Sequence, residues 1–313
     1  MPQFAEITRG YIGASDALQA VANLGRAVGR AQVSPVAALV RSALRNEQIA
    51  ALGWADGELL DIAQEERKYG RTSAGIGHWD VDFAELFGRV DALDRSLDAE
   101  AVIEWLRFRR KDASDGPFGI LALESEERAR PRIEAWSADL AKVGRQPRPV
   151  RALVACGAWL TLSPLLRGNR SVALMIGDRL LFDSDVSYGG LLAIGMRSID
   201  RPPLLWVRSG DRLGPDWWRA VSAAAARLEA KELEVRRFME RAETLAAGLR
   251  NREVVLGVCR LLMHESSVTP ALVARRLRIS VAAAHRGIDW MERAALVRDT
   301  TQQRSWREFR AVH

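Results

Sequence analysis

Apolar residues recur at every third or fourth position through much of the first 150 residues, which predicts a helical N-terminal region. Ser34-Pro35 stands before one of these periodic segments, and a serine cap followed by proline favours a helix start. The helices predicted on this basis cover residues 17–28, 36–49, 82–97 and 99–110.

Residues 151–250 are more apolar and are predicted to form a core region. The run 150–162 is typical of a buried helix. The run 172–182 fits either a helix interrupted at Gly177 or two short strands that turn there, and periodicity does not separate these structures. A long helix is predicted over 215–248, with an apolar stripe beside a charged one. Its length of about 45 Å suits a spacer or a dimerisation helix as well as a helix packed on its own domain.

The spacing within 251–313 predicts three helices followed by a hairpin. The first helix covers 253–264. Thr269-Pro270 favours the start of the second, Arg278-Ile279 forms the turn, and Ser280 favours the start of the third. The residues predicted to face the interior are Val254, Val258, Leu261, Leu262, Leu272, Ala274, Leu277, Val281, Ala284, Ile288 and Met291. The hairpin strands are predicted to carry Val297, Trp306 and Phe309, with the tip at 300–304.

The run TPALVARRLRISVAAAHRGIDWMERAALVRD resembles the winged helix-turn-helix of bacterial regulators. In such a module the third helix enters the major groove, and arginines of the wing lie along phosphates or in the minor groove. The resemblance implies these groove-facing residues: Ser280, Ala282, Ala283, His285, Arg286 and Asp289. Arg286 is the expected base reader, because a guanidinium can form two hydrogen bonds with guanine. The implied phosphate contacts are Arg275, Arg276, Arg278, Arg304 and Arg307.

Two features depart from the usual pattern of this module. The turn position that such motifs commonly fill with glycine is Arg278, which costs about 1 kcal/mol if its backbone is left-handed. Ala282 and Ala283 can meet a thymine methyl group but cannot hydrogen-bond a base, so base-specific recognition is predicted to be narrow. A winged helix that contacts only protein, as in an adaptor, is the alternative interpretation.

Charge is concentrated at the C-terminal end of the chain. The formal net charge is +6. Residues 251–313 hold eleven arginines against six acidic residues, which leaves +5 in this segment alone. A basic terminal module on a nearly neutral body indicates a polyanionic partner, and double-stranded DNA is the partner that the resemblance implies.

The stretch SPLLRGNR at 163–170 resembles a degenerate Fic motif, whose active form runs His-Pro-Phe-x-Asp/Glu-Gly-Asn-Gly-Arg. The long charged helix followed by a C-terminal winged helix also resembles Fic proteins. The whole plan is similar to plasmid-borne bacterial proteins that pair an uncharacterised domain with a terminal helix-turn-helix.

Chemistry limits what the Fic resemblance implies. A Fic enzyme uses its histidine as a general base and its acidic residue to hold Mg²⁺ on the nucleotide phosphates. Ser163 and Arg167 occupy those two places here. The resemblance therefore implies a fold kept without nucleotidyl transfer. The alternative, a divergent nucleotidyl or phosphoryl transferase, predicts nucleotide and Mg²⁺ binding near Gly168 and Asn169.

The remaining composition adds no further chemistry. Walker, H-E-x-x-H, G-x-S-x-G and dinucleotide-binding patterns are absent, so no cofactor and no catalytic residue are predicted. Cys156 and Cys259 lie among aliphatic residues and are predicted to be buried free thiols rather than metal ligands. No run of about 18 apolar residues and no secretory signal pattern is found, so a cytoplasmic, nucleoid-associated protein without a membrane segment is expected.

These observations together predict a mostly α protein with a multi-helical body, a long connecting helix and a C-terminal winged helix-turn-helix. The expected domains are 1–150, 151–250 and 251–313. The expected function is regulation of transcription or plasmid maintenance by a homodimer, with the body contacting an unknown protein or small-molecule effector.

Overall fold

The computed structural model describes residues 15–56, 93, 97–106, 126–165, 168–181, 190–200, 213–265, 267–301 and 307–312. Within these residues the chain is mostly α-helical, as predicted. The helices are α1 (Ser15–Val33), α2 (Ala37–Ala55), α3 (Ala99–Leu106), α4 (Glu126–Lys142), α5 (Arg148–Leu162), α6 (Asn169–Leu181), α7 (Leu191–Ser198), α8 (Leu213–Ala246), α9 (Arg252–His264), α10 (Pro270–Leu277) and α11 (Val281–Arg293). The strands β1 (Val297–Asp299) and β2 (Phe309–Ala311) form an antiparallel pair.

The chain divides into two compact units, each built from two separate segments. Unit 1 contains Met1–Val28 and Glu47–Arg227, and unit 2 contains Gly29–Asn46 and Leu228–His313. Helices α1, α2 and α8 therefore contribute residues to both units. Among the helices described, none combines the length and the apolar character needed to cross a bilayer.

The predicted N-terminal helices are confirmed where the structure describes them. Helix α2 begins at Ala37, one residue after the start of the predicted range 36–49, because Pro35 and Val36 form a turn. In this turn the Ala37 N–H donates to the Ser34 carbonyl at 3.0 Å. Helix α3 is described up to Leu106, and residues 107–110 of the predicted helix 99–110 lie outside the described residues. The predicted helix over 82–97 also lies outside them, apart from positions 93 and 97.

Helix α6 runs through Gly177 without a break, so the helical alternative is confirmed, whereas the predicted interruption and the two-strand alternative are wrong. A Cβ atom at this position would lie 2.9 Å from Cη2 of Trp217 and 3.0 Å from Cδ1 of Leu192. The glycine therefore lets α6 approach α7 and α8 closely, and this packing outweighs its cost of about 1 kcal/mol in a helix interior. Helix α5 fills the predicted run 150–162 and is buried along most of its length, as expected.

Helix α4 has no counterpart among the predicted elements. It contains Pro131, a residue that normally ends a helix because it lacks an N–H. Its buried face carries Ile133 and Trp136, and the Trp136 ring packs edge-on against Trp159 with centroids 5.2 Å apart. The Trp136 indole N–H also donates to the Ala155 carbonyl at 2.8 Å. These tertiary contacts help to offset the cost of the proline, which is the residue of this segment that disfavours a helix.

A buried carboxylate holds the start of helix α7. The Asp178 side chain lies fully buried on α6 and accepts the Leu192 N–H at 3.0 Å. Burial raises the pKa of Asp178 to about 8, although the hydrogen bonds from the backbone of α7 oppose this shift. The carboxylate thereby satisfies donors that the first turn of any helix leaves free.

Candidate nucleic-acid interface

Helices α9, α10 and α11 pack together in unit 2, and two glycines set their spacing. A Cβ atom at Gly257 of α9 would lie 3.0 Å from Cδ1 of Leu277 on α10. One at Gly287 of α11 would lie 3.2 Å from Cγ1 of Val254 on α9. The predicted interior positions Val258, Leu262, Ala274, Ala284, Ile288 and Met291 are buried, whereas Val254, Leu261, Leu272 and Leu277 are half-buried.

Helices α10 and α11 begin with the predicted caps. Thr269 Oγ1 accepts the Leu272 N–H at 3.2 Å, and Ser280 Oγ accepts the Ala283 N–H at 3.2 Å. Arg278 ends α10 with φ 54° and ψ 45°, which is the left-handed conformation expected at the position where related motifs have glycine. This conformation costs a non-glycine residue about 1 kcal/mol, and it places an arginine side chain in the turn.

Val281 is the exception to the predicted interior set, and the prediction for it was wrong. Its side chain is 50% exposed. Helical periodicity places it at the edge of the face that contains Ala284 and Ile288, but it lies in the first turn of α11, where residues of a helix have fewer neighbours on the preceding side. Val273 of α10, which was not among the predicted interior residues, is fully buried.

One side of α11 is exposed along its length, and we call it the α11 face. It consists of Val281, Ala282, His285, Arg286, Asp289 and Arg293, all of which are exposed. The spacing of these residues, three to four positions apart, places them on one side of the helix. Of the groove-facing residues implied by the sequence, Ser280 is exposed at the cap and Ala283 is half-buried at the edge of this side.

The predicted phosphate-binding arginines differ in their surroundings. Arg275 and Arg278 are exposed in α10 and at its end. Arg276 is exposed too, but its Nη2 lies 3.1 Å from Oε1 of Glu265. Arg304 lies outside the described residues. Two arginines of the predicted set are thus exposed beside the α11 face with no acidic partner among the residues described here.

Arg307, also predicted to bind phosphate, is bonded within unit 2. Its Nε lies 2.6 Å from Oδ2 of Asp299, and its Nη2 lies 2.9 Å from Oε2 of Glu292. Its Nη1 is 3.8 Å from Oδ1 of Asp289, and its guanidinium carbon is 4.8 Å from the centre of the Phe309 ring. The hydrogen bond with Asp299 raises the pKa of Arg307. These contacts tie the hairpin to α11, and a phosphate would have to compete with them.

Replacing Arg307 with glutamine should therefore loosen the hairpin. We expect faster amide hydrogen exchange at Phe309 and Arg310, and a loss of about 0.5–1 kcal/mol in stability, since the pair is partly exposed and screened. Exchange measured by NMR or mass spectrometry would check this. Arg275→Gln is the matched control, because Arg275 is exposed on α10, outside the hairpin, and equal exchange in both variants would rule out the structural role of Arg307.

Two further arginines face each other across the hairpin, and sequence reasoning did not assign them a role. Arg298 of β1 is directly opposite Arg310 of β2 in the antiparallel register. Like charges in this arrangement repel, and the Arg310 Nε is buried with no hydrogen-bond partner among the described residues. An anion between the two would relieve both costs. The sequence did contain a signal for this pair. Side chains alternate along a strand, so the neighbours of the apolar Val297 and Phe309, at 298 and 310, are expected on the outer face of the hairpin.

The segment that resembles a Fic motif belongs to unit 1, where Ser163 follows α5 and Asn169 begins α6, and its residues Leu166 and Arg167 lie outside the described residues. Gly168, with φ 74°, leads into α6. The Asp56 carboxylate accepts the N–H groups of Arg170 and Ser171, each at 3.2 Å, and also accepts the Ser171 hydroxyl. The pKa of Asp56 is raised above its ordinary value, because the effect of burial is larger than the opposing effect of these hydrogen bonds. The amide groups that a nucleotide phosphate would need at this helix start are therefore already bonded to a carboxylate of the protein.

Other chemistry-bearing side chains are not assembled into a site in the described part of the chain. Cys156 and Cys259 are free and buried, as predicted. Burial raises the pKa of Cys259 to about 12, which leaves the thiol protonated and inert. Within the ranges described, no group of three or more His, Cys, Asp or Glu residues is placed to hold a metal ion. In comparisons with known proteins, no family model and no curated protein matches this chain.

Proposed function

We propose that this protein is a DNA-binding regulator of transcription or plasmid maintenance, and that residues 251–313 act as a winged helix-turn-helix. The observation that carries the proposal is the exposed α11 face, which carries Arg286 and is preceded by exposed Arg275 and Arg278, neither of which has an acidic partner among the described residues. A convex helix side of this kind fits the major groove of duplex DNA, and the arginines match its phosphates.

Each arginine has a distinct task in this proposal. Arg286, in the second turn of α11, reads a guanine by two hydrogen bonds. Arg275 and Arg278 contact phosphates on one side of the groove. Arg298 and Arg310 on the hairpin contact the backbone beyond it and thereby lose their mutual repulsion. Arg307 is assigned to the hairpin instead, because its Nε and Nη2 groups already donate to Asp299 and Glu292.

Salt dependence tests the proposal directly. Four phosphate contacts give a slope of log K against log salt of roughly −3.6, so affinity should fall about 10²-fold between 50 and 200 mM salt. The measurement is fluorescence anisotropy of a labelled duplex of random sequence with the full-length protein. A slope near zero, or no binding at 50 mM salt, would refute DNA binding.

Arg286→Ala should weaken binding to a preferred sequence more than binding to random duplex. Loss of a two-bond contact with guanine predicts a decrease of roughly 5- to 150-fold for a preferred site. The comparison uses a site selected from a random pool by the full-length protein. Arg252→Ala, which removes an exposed arginine of α9 away from the α11 face, is the control and should change little. Unchanged affinity in the Arg286 variant would favour an adaptor that contacts protein.

The enzyme alternative has less support. It requires phosphate binding at the start of α6, where Asp56 already accepts the N–H groups of Arg170 and Ser171. Calorimetry with ATP and Mg²⁺ separates the alternatives, and the regulator proposal expects no heat of binding. Unit 1 would then supply dimerisation or an effector contact, since a dimer places two recognition helices about one helical turn of DNA apart.

A further inference from the structure

The first turn of α11 is apolar, and two of its side chains are exposed. Val281 is 50% exposed, and Ala282 beside it is exposed as well. Val281, His285 and Asp289 follow each other at intervals of four, so the valine lies on the α11 face together with polar residues. About half of the valine surface is thus left without cover from the protein's own core.

The surroundings of this apolar turn indicate the chemistry of what covers it. Arg278 lies three residues before Val281, and Arg286 lies one turn after Ala282, and both are exposed. The surface is therefore a small apolar area between cationic groups, which complements a polyanion that presents apolar groups. Duplex DNA fits this description, because the C5 methyl group of thymine is the apolar group that its bases present in the major groove.

We propose that Val281 and Ala282 recognise the C5 methyl group of thymine close to the guanine read by Arg286. This inference rests on the proposed DNA binding and adds the identity of a second base. The rise from Ala282 to Arg286 is about 6 Å at 1.5 Å per residue, and successive base pairs are about 3.4 Å apart. The thymine therefore lies within about two base pairs of the guanine.

The test changes the DNA by one methyl group and leaves the protein intact. The full-length protein selects a preferred site from a random duplex pool, and each thymine of that site is then replaced in turn by uracil. At one or two positions near the guanine we expect about 4-fold weaker binding, corresponding to one buried methyl group. At the remaining thymines the replacement should have no effect.

Protein variants assign the effect to Val281. In Val281→Thr the side chain keeps its shape but carries a hydroxyl group, and the difference between thymine and uracil should shrink towards one. Val33→Thr is the matched control, because Val33 is 84% exposed at the end of α1 and should leave the difference intact. Circular dichroism of both variants confirms that they fold.

The outcomes separate the inference from the function on which it rests. If the protein binds its selected site and uracil is tolerated at every position, methyl recognition is overturned while DNA binding stands. If Val281→Thr keeps the full thymine preference, the assignment to Val281 is overturned as well. If no duplex is bound at low salt, the proposed function itself fails.

Discussion

Reversing three charges beside the α11 face is expected to abolish DNA binding. The variant Arg275→Glu, Arg278→Glu, Arg286→Glu removes the two proposed phosphate contacts and the proposed base contact, and it adds repulsion from a DNA backbone. Each lost charged hydrogen bond contributes about 1.5–3 kcal/mol, so affinity should fall about 10³-fold or more at moderate salt. All three side chains are exposed, so the fold should be retained. Anisotropy titration of a labelled duplex measures the loss.

A control variant with the same change in net charge shows whether the loss of affinity depends on where the charges are reversed. Arg41, Arg45 and Arg128 are exposed on α2 and α4. Their triple replacement by glutamate should weaken binding only through the long-range field, by a few-fold, and less so as salt increases. If the two triple variants lose the same affinity, the α11 face is not the DNA-binding surface. Point variants are preferable to deletion of 251–313, because such a deletion would expose the core of unit 2.

Gly195→Ala is expected to have the largest effect on stability. A Cβ atom at this position of α7 would lie 2.1 Å from the carbonyl oxygen of Ala220 and 2.8 Å from its carbonyl carbon. These are backbone atoms of α8, so no side-chain rotation relieves the overlap and the helices must separate. We expect a loss of about 3 kcal/mol or more, measured as a lower midpoint of urea unfolding.

The control for this prediction is a glycine without neighbours. A Cβ atom at Gly25 in α1 would have nothing within 4 Å. Gly25→Ala should therefore stabilise the protein by about 0.5–1 kcal/mol, since alanine favours the helix. A midpoint for Gly195→Ala equal to that of the wild type would show that α7 and α8 are not in backbone contact.

Sequence reasoning succeeded where local interactions decide the structure. The caps Thr269 and Ser280 bond to amides three residues away, so their roles follow from neighbours in the sequence. The left-handed Arg278 was expected for the same reason. Helix α4 and the continuous helix at Gly177 depend instead on Trp159 and Trp217, which are distant in sequence. Periodicity within a short window contains no information about such partners.

The residues of the candidate interface were predicted better than their burial and their contacts. Spacing alone placed His285, Arg286 and Asp289 on one exposed side of a helix. The same spacing assigned Val281 to the interior, because periodicity does not record where a helix loses its neighbours. The acidic partners of Arg307 come from α11 and from the opposite strand, and a count of arginines cannot distinguish a bonded guanidinium from a free one.

The assembly of unit 2 from two distant segments has a consequence for the order of folding. Ser34 Oγ donates to Glu232 Oε1 at 2.8 Å across 198 positions of sequence. Residues 29–46 leave the ribosome long before α8 is made, and they cannot reach their final neighbours until it emerges. High contact order of this kind slows folding and prolongs the exposure of apolar surface. Expression at low temperature or with chaperones should therefore raise the yield of native protein.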